Sequence, residues 1–233
     1  MSSLESVREF VRDFRAKESR LDGLVNNAGV MKTPRTFTVD GIETQWATNH
    51  LGPFLLTTLL KDALVAAAPS RVVYLVNLDY RKGEIDFDNL NMSEKHYDRA
   101  AAFNRSQLAN MVMVGHLAEE WKADGVTVNA VYPGVCGTNI KRHMGVDRSF
   151  LGWYVSNPLL WFFTKTAKQG AQTPLYTLID EDMNGVTGKL LSNLKTLEVD
   201  DKAKDLVLRK KLVAVDKYWS GIVQSKEELV SQK

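Results

Sequence analysis

RVVYLVNL, residues 71–78, is an almost unbroken run of β-branched and large apolar side chains. A strand with one wet face alternates apolar and polar residues. A run without alternation reads as a strand covered on both faces, the mark of a parallel sheet between two helical layers. Upstream, LDGLVNNAG (21–29) is a short apolar run ending in Asn, Asn and Gly, a buried strand running into a loop. Between them, residues 40–65 have a helical pattern around WATNHLGPFLLTTLLKDAL. Downstream, residues 79–95 are polar and turn-rich, and a long helix covers 98–124. VTVNAVYPG (126–134) is the next strand, stopped by Pro133-Gly134. A helix near 166–181 leads to a short strand in VTGKLLS (186–192). Residues 200–220 read as helical, and the tail 222–233 as loose. At the front, Leu4, Val7, Phe10, Val11 and Phe14 recur at helical spacing, with Ser2 and Glu5 spaced as a capping box. Strands alternating with helices predict an α/β, doubly wound parallel sheet in one domain over 1–233. Ligands in such sheets sit at the carboxyl ends of the strands, so the loops after residues 26, 77 and 132 are the ones to inspect.

Composition narrows the function classes. The chain has 233 residues, 44% of them hydrophobic, enough for one sizeable core. A net charge of +2, from 30 basic and 28 acidic residues, does not demand nucleic acid. Lys141–Arg142 and Arg209–Lys210–Lys211 read as solvated surface, so no nucleic-acid partner is expected. The single cysteine, Cys136, cannot form an internal disulfide, which fits a reducing compartment. The four histidines show no ligand spacing, so no metal site is expected. MSSLESVREF is charged and polar, unlike a signal peptide. FLGWYVSNPLLWFF (150–163) is 14 residues, interrupted by Asn157-Pro158, too short to span a bilayer. Core packing, a lid over a lipophilic ligand, and peripheral membrane contact all remain open for it. Trp153, Tyr154, Trp161 and Phe162 add weight to the last two. The expected location is intracellular, either cytoplasmic or peripheral at an internal membrane.

NNAG (26–29), TNHLGPFLLT (48–57), SRVVYLVN (70–77), SQLAN (106–110) and VYPGVCGTNI (131–140) stand in a fixed order. FDNLNMSEKHYD (87–98), KTAKQGAQTPLY (165–176) and VTGKLLSN (186–193) fill the gaps between and after them. In order and spacing these segments resemble the short-chain dehydrogenase/reductases, and most closely their retinol-dehydrogenase-like branch. The resemblance runs to about residue 222 and implies a Rossmann-like fold.

It also implies a chemistry: hydride transfer between a substrate carbon and the nicotinamide of NADP or NAD. In the family a tyrosine hydroxyl handles the proton, which requires a phenol pKa brought down from about 10. A lysine four residues later, on the same helical face, favours the phenolate and holds the nicotinamide ribose. A serine hydrogen-bonds the substrate oxygen, and an asparagine supports a proton-relay water. Carried onto this chain, the asparagine is Asn49, the serine position is Asn77, the tyrosine position is Phe103 and the lysine position is Gln107. Three of these four are substituted. Tyr97, Tyr80 and Arg105 are neighbours without the right placement. Losing the general acid/base alone costs about 10²–10⁴-fold in rate.

The cofactor-facing positions of the resemblance are Asn26, Ala28 and Gly29 near the adenosine, and Pro133, Gly134 and Thr138 beside the nicotinamide. Asn26–Gly29 read equally as stabilisers of the central sheet. The family's TGxxxGIG turn, whose helix N-terminus takes the pyrophosphate, has no match here. The first strand, 21–26, matches the family's fourth. The expectation is therefore a partial domain lacking the family's first strands, with the missing turn counting against NADP or NAD being held. The bare side of strand 21–26 would then favour oligomers or poor solubility. Two functional readings follow. One is a catalytically inactive relative that takes a lipophilic small molecule or pairs, as homodimer or heterodimer with a relative, through helices 48–66 and 98–124. The alternative is an NADP(H)-dependent oxidoreductase acting on retinol- or retinal-like alcohols and carbonyls.

Overall fold

The computed structural model describes residues 1–137 and 164–223. The run read as a two-sided strand is β2, Ser70–Leu75. It pairs in parallel with β1, Gly23–Asn26, on one side and with β3, Val126–Val131, on the other. β4, Leu190–Ser192, continues the parallel sheet, and β5, Lys195–Leu197, closes it antiparallel, giving the order β1-β2-β3-β4-β5.

Both faces are covered, as the apolar run requires. Val72, Tyr74, Val128 and Ala130 point to one side, against Leu108, Val112 and Leu117 of helix α5, Arg99–Glu120. Val73 and Val131 point to the other, against Tyr176 and Leu178 of helix α6, Ala167–Ile179. This is the period-two alternation of strands whose apolar residues face both layers.

Several predicted elements change in detail. Helix α1, Leu4–Arg15, is capped by Ser3, not Ser2: the Ser3 hydroxyl accepts the Ser6 N–H at 3.2 Å. Val7 and Val11 turn inward, while Phe10 is 55% exposed and stacks on Phe14. The expected helix over 40–65 is broken into α2 (Thr44–Trp46), a π turn (Ala47–Leu51), α3 (Gly52–Leu59) and α4 (Lys61–Ala66). Pro53 explains the first break. It has no N–H to return to the Asn49 carbonyl four residues back, so the turn widens and the Gly52 N–H reaches Ala47 O instead. Over 200–220, a 3₁₀ turn at Asp201–Lys204 precedes α7, Leu206–Trp219, which Asp205 caps through Val207 and Leu208 N–H groups.

Among the described residues, β1 is an edge strand. Arg71 N–H donates to Asp22 O at 3.1 Å, so alternate residues Asp22, Leu24 and Asn26 face β2 while Gly23 and Val25 turn their backbone groups outward. Val25 is 38% exposed on the α6 side, and Leu175 and Ile179 of α6 are 48% and 71% exposed. A bare edge beside exposed aliphatic side chains favours association. Sedimentation velocity of this chain is expected to show concentration-dependent oligomers that Val25→Lys with Ile179→Lys reduces; a monomer at all concentrations contradicts this. A second prediction concerns Gly83, which packs directly on α5. A Cβ there would lie 2.8 Å from Leu108 Cβ and closer still to Asn104 O. Gly83→Ala is expected to lower stability by about 1–3 kcal/mol in urea unfolding.

Candidate functional site

The site forms where the ends of β1, β2 and β3 meet α5 and the π turn. Just past β2, Asn77 is used twice. Its side-chain Oδ1 accepts the Asp79 N–H at 2.9 Å and caps a 3₁₀ turn over Leu78–Lys82. Its backbone N–H donates to Gln107 Oε1 at 2.9 Å. Gln107 therefore ties α5 to the end of β2. Its amide Nε2 lies 3.5 Å from Ser106 Oγ, which donates to Phe103 O at 2.7 Å and accepts from Asn49 Nδ2 at 3.0 Å. Asn49 holds both backbone groups of Val30: Oδ1 accepts the N–H at 2.8 Å and Nδ2 donates to the carbonyl at 2.9 Å. The structure thus brings Asn49, Asn77 and Gln107 into one hydrogen-bonded set, with the Phe103 carbonyl joined through Ser106. Ser106 is a member that the sequence reading used only to set the register.

This set has no proton to trade. Asn49, Phe103 and Gln107 are 3%, 3% and 6% exposed, and neither they nor Asn77 ionise near neutral pH. The tyrosines nearby are engaged elsewhere. The Tyr97 hydroxyl lies among Thr33 O (3.1 Å), Glu43 Oε1 (3.2 Å) and the Gln45 amide (3.1 Å). Burial first, then the Glu43 charge, pushes that phenol up. Tyr80 is fully buried, its hydroxyl accepting the Asp200 N–H at 2.9 Å. Tyr132, which the sequence reading passed over, follows β3; burial, then Asp79 and Cys136, pushes its phenol up as well. Both shifts run opposite to what a phenol needs for proton transfer near neutral pH. Arg105 belongs to the Glu43 cluster, with Nη2 at 3.3 Å from Glu43 Oε2 and the guanidinium over the Trp46 ring. Burial lowers its pKa and the Glu43 charge opposes that.

The cofactor-facing positions divide. Asn26 donates to Thr57 Oγ1 at 2.8 Å while its buried Oδ1 has no partner. Ala28 is exposed, and a Cβ on Gly29 would come within 3.3 Å of Asn49 Oδ1, so the loop passes close to the site. That end suits a ligand with a hydrogen-bond donor. At the other end, Gly134 adopts φ +91°, and Lys165 lies 3.1–3.2 Å from where its Cβ would be. Lys165 Nζ donates to Pro133 O at 3.0 Å and Asn193 Oδ1 at 2.6 Å, so a side chain fills the space beside Gly134. Gln107, at the position that the resemblance gives to a ribose-holding lysine, is neutral. The residues fit the adenosine loop and do not fit the proton-transfer end, and no described strand enters a helix through a TGxxxGIG-like turn. Thr138 and the aromatic run 150–163 lie outside the described residues. Among the described residues there is no cluster able to hold a metal, and no helix is long and apolar enough to cross a membrane.

Comparison with known proteins places the chain in a family. Residues 1–148 match the family model described as short chain dehydrogenase. Mouse retinol dehydrogenase 14 is 40% identical over 224 residues, covering 96% of this chain and 66% of that protein. Human retinol dehydrogenase 13 is 40% identical over 214 residues, 92% of this chain and 65% of that protein. The chain thus spans just under two thirds of the length of these relatives. Among solved structures, an uncharacterised protein of Mycobacterium paratuberculosis superposes with a TM-score of 0.71 at 26% identity, over 94% of this chain and 73% of that one. The NADP complex of Pseudomonas aeruginosa RhlG shares the fold at TM-score 0.59 and 20% identity, over 82% of this chain and 71% of that one. The chain belongs to the short-chain dehydrogenase family, in its retinol-dehydrogenase-like branch.

Proposed function

We propose that this chain is a non-catalytic member of its family, retaining the scaffold for a lipophilic ligand or a protein partner. The observation that carries this reading is the bond from the Asn77 N–H to Gln107 Oε1 at 2.9 Å. The residue at the lysine position is a neutral acceptor with a structural task. The phenol position beside it is a buried Phe ring, 3% exposed. An acid and the cation that would activate it are both replaced by groups that serve packing.

The second reading, an NADP(H)-dependent oxidoreductase of retinol- or retinal-like substrates, is favoured by the 40% identity to proteins named retinol dehydrogenases. NADP-bound neighbours of the same fold make NAD(P) the cofactor class to test. When bound, such a cofactor supplies the hydride. This chain's part would be to approach it with Asn26, Ala28 and Gly29, and with Pro133, Gly134 and Thr138, leaving proton transfer without a donor among the described residues.

The test is paired. NADPH fluorescence titration and retinal turnover with NADPH are measured on the same preparation. The expected result is no turnover even at high protein concentration, and none restored by Phe103→Tyr alone, since neutral Gln107 supplies no charge to bring a buried phenol down from about 10. Turnover by the unmodified chain that disappears with Asn77→Ala would establish the second reading instead.

A further inference from the structure

A buried pair of ionisable groups lies directly behind the candidate site. His50 and Asp216 are both 0% exposed, with Nε2 and Oδ2 2.8 Å apart. The other ring nitrogen, Nδ1, is 3.0 Å from Asn110 Oδ1. Asn110 Nδ2 donates to the Asn49 carbonyl at 2.9 Å, the same carbonyl that Pro53 leaves without a helical donor. These contacts fix where the protons are. A carbonyl only accepts, so the Asn110 amide nitrogen faces Asn49 and its oxygen faces His50. His50 Nδ1 must then carry a proton. One more proton lies between Nε2 and Oδ2, whichever atom owns it, and the pair is neutral overall.

We propose that His50, Asn110 and Asp216 form a one-proton latch. It docks α7 onto the Asn49 carbonyl, and its own contribution to stability is greatest at mildly acid pH. Asp216 acts on the candidate site through two other residues, so it is a positioning residue. This inference is independent of whether the site is catalytic.

The environment leaves the pair little alternative. Asp216 Oδ1 has no partner, and the Trp46 ring lies 4.7 Å from the imidazole, centroid to centroid. Besides His50, the titratable groups whose charge acts on Asp216 are His116 on α5 and Tyr74 on β2; Lys217 follows it on α7, and Arg8 on α1 donates to Ser220 O at 2.5 Å. Burial pushes the Asp216 carboxyl up, against the pull of His50 and then His116. Removing the shared proton would leave the Nε2 lone pair facing a carboxylate; adding another would leave a buried imidazolium facing a neutral acid.

The sign of the pH dependence follows from counting protons. The folded pair holds two, one on Nδ1 and one in the shared contact. From about pH 4 to about pH 6.5 the unfolded chain also holds two, on the imidazolium, so the pair adds no slope. Above about pH 6.5 the unfolded histidine gives one up while the folded pair keeps both, so stability falls as pH rises. Below about pH 4 the unfolded aspartate gains one, so stability falls as pH drops. In Asp216→Asn the new amide donates to Nε2 and the folded ring holds only the Nδ1 proton. That variant loses stability as pH drops below about 6.5 and is flat above it, the opposite sense to the parent.

The experiment is urea unfolding of the parent and Asp216→Asn chains from pH 5 to pH 8.5. For the parent, the pair's contribution to the unfolding constant should grow by up to about tenfold per pH unit above 6.5; for the variant it should grow below 6.5 instead. Profiles with the same slope on both sides overturn the proposal. Long-range proton–nitrogen NMR of the unmodified chain gives a test that needs no variant to fold. The His50 ring should show a protonated Nδ1 with shifts constant from pH 5.5 to 8. A His50 ring that titrates with a midpoint near 6.5 in the folded protein overturns the latch.

Discussion

A helix buried along most of its length needs partners for its polar side chains, and on α5 only Asn104 Oδ1 and Arg105 Nε are buried without one among the described residues. Residues Ala102 to Val114 are all buried, among them Asn104, Arg105, Ser106, Gln107 and Asn110. A buried polar group left unpaired costs about 1–3 kcal/mol, so neighbouring elements must come to α5 at fixed points. Arg105 takes the Glu43 carboxylate, Ser106 takes Asn49, Gln107 takes the Asn77 N–H, and Asn110 takes the Asn49 carbonyl and His50. Through these bonds the π turn, the end of β2 and helix α7 are all registered against one helix.

The same constraint explains the character of the candidate site. Burying an ammonium needs an acceptor or a counter-charge, whereas a neutral amide only has to match one donor. Gln107 meets that requirement at Asn77. Phe103 likewise buries a ring with no hydroxyl to satisfy. Gln107 and Phe103 each close a local hydrogen-bonding or packing requirement.

Much of this was legible in the sequence because it follows period. The apolar run 71–78 reads as a two-sided strand, and SQLAN at 106–110 lies in the long helix expected over 98–124. What escaped depended on long-range partners or on backbone conformations that residue type does not announce. β5 was missed because its hairpin turns through Asn193 and Leu194 at φ 50° and 62°, and a leucine gives no signal for that region. The break at the π turn could have been read from Pro53, four residues after Asn49. Lys165 beside Gly134, Tyr132, and above all Asp216, 166 residues from His50, have no local signature.

Gln107 ties α5 to the end of β2 through the Asn77 N–H. The most direct measurement is the urea-unfolding stability of Gln107→Lys. A loss of about 1–3 kcal/mol is expected, because the Asn77 N–H loses its acceptor and an ammonium enters a buried site. Unchanged or increased stability would mean that the site still accommodates the family's cation, and would contradict it.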